Sequence, residues 1–137
     1  MEYRLGEYII SNDKSLLSTH KIKSLLEKSY WGNERSIETI ENAIKNSDAY
    51  GIYLGSEQIG FARVVSDKST MYWLCDVIID EQYRGKELGT SLVKYITESE
   101  EYKDLRGILA TKDAHGLYEK YGFVKAEQGR FMIRPKY

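Results

Sequence analysis

One cysteine stands in 137 residues, Cys75. A lone cysteine excludes an internal disulfide and a cysteine-rich zinc site, and it suits a reducing cytoplasm. Histidine is almost as scarce. His20 and His115 lie far apart with no cysteine cluster near either, so no metal site is recognisable and none is expected. No apolar run approaches the roughly 18 residues that a membrane-spanning helix needs, so no membrane span is expected. The start, MEYRLGEYIISNDK, lacks the cationic head and apolar middle of a secretory signal. A basic excess is missing too: 20 Lys and Arg face 21 Asp and Glu, a net charge of −1. A chain that held a nucleic-acid backbone by charge would carry such an excess, so no nucleic-acid partner is expected. Any anion bound here is small and is met by a local feature.

What is present describes an ordinary core-forming chain. Hydrophobic residues make up 42%, which argues against disorder. There are no repeats, low-complexity tracts or linkers, and the length fits one domain over residues 1–137. A chain of this size buries about two thirds of its unfolded surface. The 12 tyrosines fit a half-buried sheet, and also a cleft that needs hydroxyls on rigid rings.

The apolar spacing predicts seven strands and four helices. Residues 2–10 alternate as a strand. Leu16, Leu17, Ile22, Leu25 and Leu26 give a broken helical pattern over 14–29, interrupted by YWGNERS. Ser36 with Glu38 opens a second helix, whose face holds Ile37, Ile40 and Ile44. AYGIYL (49–54) and IGFARVV (59–65) read as a hairpin, and TMYWLCDVII (70–79) as a long apolar strand. A helix over 86–98, a strand over 105–110 and a short helix over 113–121 follow, the last stopped by Gly122. FVKAE (123–127) and RFMIR (130–134) close the chain as a pair of strands. The strand–helix–strand unit at 70–110 implies local parallel pairing with a right-handed crossover. The expected class is therefore α/β (α+β): a mixed central sheet of six to seven strands flanked by about four helices.

The junction DEQYRGKELGTSLVKYI, residues 80–96, joins a strand to a helix. The first amide groups of a helix lack internal partners, and its dipole favours an anion there. Gly85 and Gly89 let the backbone come close to a phosphate, and Arg84 and Lys86 add charge. The spacing matches neither G-x-x-x-x-G-K-[ST] nor G-x-G-x-x-G.

It does resemble the acetyl-CoA loop of the GNAT superfamily of N-acyltransferases, Q/R-x-x-G-x-G/A. In that frame Arg84 takes the first place, Glu87 the middle glycine place and Gly89 the last. A second stretch, ATKDAHGLYEKYGFV (110–124), is similar to the family's later signature at Ala114, Leu117, Tyr118, Gly122 and Phe123. IGFARVV is similar to the strand before the cofactor strand. The resemblance spans about residues 28–133. Two positions depart from it: Glu87 replaces a glycine, and Thr111 stands where many members have asparagine.

The resemblance implies the GNAT fold and acetyl transfer from acetyl-CoA to a primary amine, on a small molecule or a peptide. It implies a binding edge at Val77, Ile78 and Ile79, and a phosphate cradle at Arg84, Gly85, Lys86, Glu87, Leu88, Gly89 and Thr90. Tyr118 matches the residue that protonates the leaving sulfur. Trp31 and Arg35 fall in the region that covers the acceptor. Homodimers through sheet edges or C-terminal strands are a further implication. Asp76, a carboxylate inside an apolar strand, needs a partner or a wet cleft. It suits an amine base, an ammonium binder or a structural hydrogen-bonder. Alternation places it with Tyr72, Leu74 and Ile78, opposite Trp73, Cys75 and Val77. His115, three residues before Tyr118, is another base by position, with a solvated or capping role beside it. A route through Cys75 lacks an identifiable base. Two other readings remain: an acyl-CoA sensor without turnover, and an interaction module whose glycines only serve turns.

Overall fold

The computed structural model describes residues 2–29 and 34–135. Six strands form one sheet in chain order: β1 (Glu2–Leu5), β2 (Tyr8–Ser11), β3 (Asp48–Leu54), β4 (Glu57–Ser66), β5 (Met71–Ile79) and β6 (Arg106–Ile108). The first four pairings are antiparallel, and β5 with β6 is parallel. The helices are α1 (Thr19–Glu27), α2 (Ile37–Lys45), α3 (Leu88–Thr97) and α4 (His115–Glu119). This is the mixed α/β arrangement that the apolar spacing predicts.

The two faces of the sheet carry separate cores. Ser18 starts α1 by accepting a hydrogen bond from the Lys21 amide, and Ser36 starts α2 by accepting from Thr39. These two helices press Ile22, Leu25, Leu26 and Ile40 against Ala49, Phe61 and Ile78. On the other face α3 buries Leu88, Leu92, Val93 and Ile96 against Ile10, Tyr50, Ile52, Val64, Tyr72 and Leu74. Each such Leu, Ile or Val contributes about 2 kcal/mol by leaving water. α3 is thereby held at the end of β5, which is where its amino terminus matters.

The structure redraws three stretches. Residues 2–10 are not one strand: Leu5 pairs with Tyr8, and Gly6 at φ +61° turns the chain into a hairpin. The region 14–29 is a short 3-10 turn, Lys14–Leu16, and then α1, because Ser18 takes an extended conformation and caps the helix. The strands expected at 123–127 and 130–134 are absent. Only their turn forms, with the Arg130 amide on the Glu127 carbonyl (3.1 Å) and Gly129 at φ +81°. β-forming side chains make a strand only against a partner edge, and Val124, Phe131, Met132 and Ile133 are exposed.

Candidate active site

The site begins with an irregularity in β5. Phe61 pairs with Ile78, but Arg63 pairs with Cys75, so Ala62 faces two residues, Asp76 and Val77. Asp76 takes up the extra residue in the left-handed region, at φ +56°. Such a bulge reverses the alternation of side chains beyond it. Tyr72 and Leu74 therefore share the α3 face with Val77 and Ile79, while Ile78 enters the core under α1 and α2. The alternation predicted for Asp76 is corrected by this: it does not lie with Tyr72 and Leu74.

Asp76 is 5% exposed and is held by two arginines. Its Oδ2 accepts from Arg35 Nη1 at 2.6 Å and from Arg63 Nε at 2.9 Å. Arg63 Nη1 also donates to Ser47 Oγ at 3.0 Å. Asp76 Oδ1 is buried without a hydrogen-bond partner among the described residues. Burial alone would raise this carboxyl, but the hydrogen bonds and charges of Arg35 and Arg63 outweigh it and hold it below the usual range. The cluster carries one negative and two positive charges. Arg35 is its more open member, with a quarter of its side chain exposed. Next in sequence, Cys75 donates its thiol to the Arg63 carbonyl at 3.4 Å. Burial pushes the Cys75 thiol up to about 11, against the opposing pull of Arg63. At neutral pH it is a thiol and a poor nucleophile.

Beyond Trp73 one edge of β5 is unpaired among the described residues. β6 matches only Met71, Tyr72 and Trp73, so Leu74 to Ile79 have no partner strand on that side among the described residues. This edge includes Val77, Ile78 and Ile79, and it leads into the glycine loop. Asp80 anchors the loop: it pairs with Lys21 on α1 at 2.6 Å and accepts from the Gln82 amide at 3.1 Å. Arg84 Nε folds back onto the Ile79 carbonyl at 3.2 Å. Gly85 has φ +83°, and Glu87 before α3 has φ +59° with no side-chain cap. Glu87 thus adopts the left-handed backbone that a glycine would take freely, at a cost of roughly 1 kcal/mol. α3 opens at Leu88, Gly89 and Thr90 with no cap from the Glu87 side chain, and the first amides of a helix have no internal partner. A Cβ on Gly89 would meet only Ile79 Cγ1, at an ordinary 3.6 Å. Internal packing therefore does not require glycine there.

α4 follows β6. Thr111, at the asparagine place, accepts the Ala114 amide at 3.0 Å and so braces the turn into α4. Tyr118 is half-buried, packs on the α3-side core and stacks edge-on to Phe123, with centroids 6.0 Å apart. It borders a groove of about 1570 Å³ between β6, α4 and residues 122–131, together with the exposed His115. Among the described residues no group of His, Cys, Asp and Glu is placed to hold a metal ion, and no helix is long and apolar enough to cross a membrane.

The structure thus joins Asp76 and Arg35, and runs Val77–Ile79 into Arg84–Thr90. Trp31 lies outside the described residues. Arg63 is the residue that sequence reasoning missed. Its signal was an arginine inside the apolar strand IGFARVV, but its partner became visible only with the bulge.

Comparison with known proteins bears on this geometry. Residues 45–125 match the model of the acetyltransferase (GNAT) domain. A GNAT-family protein of Xanthomonas campestris pv. campestris superposes with a TM-score of 0.89 at 31% identity, over 96% of this chain and 95% of that one. A GNAT family acetyltransferase of Elizabethkingia anophelis, solved with acetyl-CoA bound, shares the fold: TM-score 0.68, 17% identity, 90% and 80% coverage. An uncharacterised N-acetyltransferase of Pyropia yezoensis is 25% identical over 89% of this chain and 72% of its own length. On the matched domain and the near-complete superposition, the chain belongs to the GNAT acetyltransferase family.

Proposed function

We propose that this chain is an acetyl-CoA-dependent N-acetyltransferase, a single catalytic domain over residues 1–137 that acts on a primary amine. The observation that carries this is the continuous track from the unpaired edge of β5 to the uncapped start of α3. An extended amide-bearing arm adds to a free strand edge as another strand would. Its phosphates then meet free helix amides and the charges of Arg84 and Lys86. The open position at Gly89 fits the same ligand. Acetyl-CoA supplies an activated acetyl thioester, and the remaining work falls to the chain. A backbone N–H at the bulge, near Val77, polarises the carbonyl. Tyr118 donates the proton that the sulfur needs, since a phenol is protonated at neutral pH.

Asp76 is then a positioning carboxylate. A carboxyl held that low is a weak base, whereas its grip fixes Arg35 beside the bulge. Arg35 has N–H groups left for an anionic substituent on the acceptor. The reaction is direct attack by the amine in a ternary complex, because Cys75 is no nucleophile at neutral pH. We place the enzyme in the cytoplasm, on its one unpaired cysteine, and as a homodimer whose exposed C-terminal segment finds its strand partner in a second copy.

The test is a screen of amines by thiol release, with Tyr118→Phe beside the wild type. The expected result is release with at least one amine, and a loss in kcat of about 10²-fold in the variant at unchanged acetyl-CoA affinity. Binding of acetyl-CoA without turnover on any amine would instead favour a sensor. No affinity at all would favour an interaction module.

A further inference from the structure

Beside the arginine–aspartate cluster the same sheet face carries an apolar row. Val65 on β4 pairs with Trp73 on β5, and Trp73 pairs with Ile108 on β6. The three lie side by side across adjacent strands. Gly107 helps fix the facing: the Tyr72 ring fills the place of its Cβ, at 2.6 Å, on the α3 side. Ile108 and Trp73, the next residues along, therefore point the other way. α1 and α2 cover Ala49, Phe61 and Ile78 on that face, but they leave the row open: Val65 is 44% and Trp73 37% exposed. A tryptophan beside an exposed valine gains nothing for the core. The next row toward the bulge is Arg63 and Cys75, which pair directly, and then Asp76 with Arg35. Two residues along a strand span about 7 Å. Trp73 to Asp76 is three residues, about 10 Å, so a small molecule held at the bulge and the cation reaches the long indole of Trp73 where it leans toward them.

Three substituents around one carbon fit this spacing. We infer that the acceptor is an apolar α-amino acid: its amine sits at the bulge, its carboxylate meets Arg35, and its side chain lies on Trp73 and Val65. This rests on the acetyltransferase reading above. The charge balance supports it, since two arginines share one aspartate and leave one positive charge for an anion. The flat indole supports the side chain, offering a broad face at little entropic cost. A polyamine fits poorly, because a second ammonium would face Arg35 and Arg63. Trp73 is on this account a specificity residue that takes no part in the bond-making.

The test uses product, so that it does not depend on turnover. N-acetyl-leucine is titrated into isotope-labelled protein while the indole N–H of Trp73 is followed, its signal assigned with Trp73→Phe. The expected result is a saturable shift, with affinity about tenfold weaker for N-acetylalanine and lost for N-acetyl-leucine amide, which lacks the carboxylate. Trp73→Ala should bring the leucine and alanine derivatives level. An unmoved indole, or equal affinity of wild type for both derivatives, overturns the inference. A shift driven by protein concentration alone, at dimer mass, also overturns it, since a second copy would then cover the row. Calorimetry with acetyl-CoA separates the two levels. Heat with an unmoved indole sinks only the choice of acceptor, whereas no heat sinks the acetyltransferase reading itself.

Discussion

Replacing Asp76 by asparagine removes one charge from a cluster of three and keeps its shape. Asparagine tolerates the left-handed backbone that this bulge imposes at φ +56°, so the loss is electrostatic rather than steric. The side chains of Asp76 and Arg63 are 3% and 15% exposed, and that of Arg35 is 25% exposed. Breaking a buried pair from one side costs about 3–5 kcal/mol. Arg35 recovers part of its hydration and asparagine still accepts a hydrogen bond, so the low end applies, about 3 kcal/mol. For a chain of this size that is a fall in Tm of roughly 10 °C. The pH dependence carries a sign. The folded Asp76 carboxyl is held below its ordinary value, so its contribution is full above that value and is lost as pH falls through the folded one. The gap between wild type and variant is therefore constant near neutrality and begins to narrow as pH falls below the ordinary carboxylate value. Thermal melts monitored by circular dichroism from neutral pH to pH 3 measure both features. A fall below about 3 °C, or a gap unchanged at the acid end, would refute the ionised, doubly paired carboxylate.

Two other outcomes are expected. Glu87→Gln keeps the left-handed backbone but removes the carboxylate beside the expected phosphates, so acetyl-CoA binding tightens by about 1 kcal/mol, roughly fivefold in Kd. Calorimetry at low and high salt reads this, and the gain should shrink with salt; an unchanged Kd would mean that Glu87 points away from the ligand. Phe131→Glu puts a charge into the exposed C-terminal segment, and sedimentation should then show a monomer where the parent is a dimer. A parent that sediments as a monomer at every concentration sinks the C-terminal pairing.

Much of the fold was legible because periodicity and caps are local. Ser36 and the helical spacing of Leu92, Val93 and Ile96 mark their elements without any tertiary knowledge, whereas the cap at Ser18 showed only in the structure. The strand-to-helix junction proposed as a phosphate cradle was legible for the same reason, since helix start, glycines and cations fall within one short stretch. Asp76 shows where local reading stops. A one-residue bulge, set by how β4 registers on β5, moved it to the other face and gave it Arg63. No pattern within 70–79 encodes that shift. The C-terminal strands failed for a related reason. Residues 123–134 have the composition of strands, but composition supplies no partner edge.

The most direct test of the phosphate cradle is calorimetry of acetyl-CoA with wild type and Gly89→Glu. A side chain at residue 89 starts in ordinary contact with Ile79, at 3.6 Å from Cβ, so the fold has room for it. Glutamate also forms helix better than glycine and suits a helix amino terminus. The account predicts that the variant melts no lower than wild type, that wild type binds with measurable heat, and that the variant binds at least tenfold more weakly. Equal binding by both proteins, or no heat from the wild type, would contradict a phosphate cradle at residues 84–90.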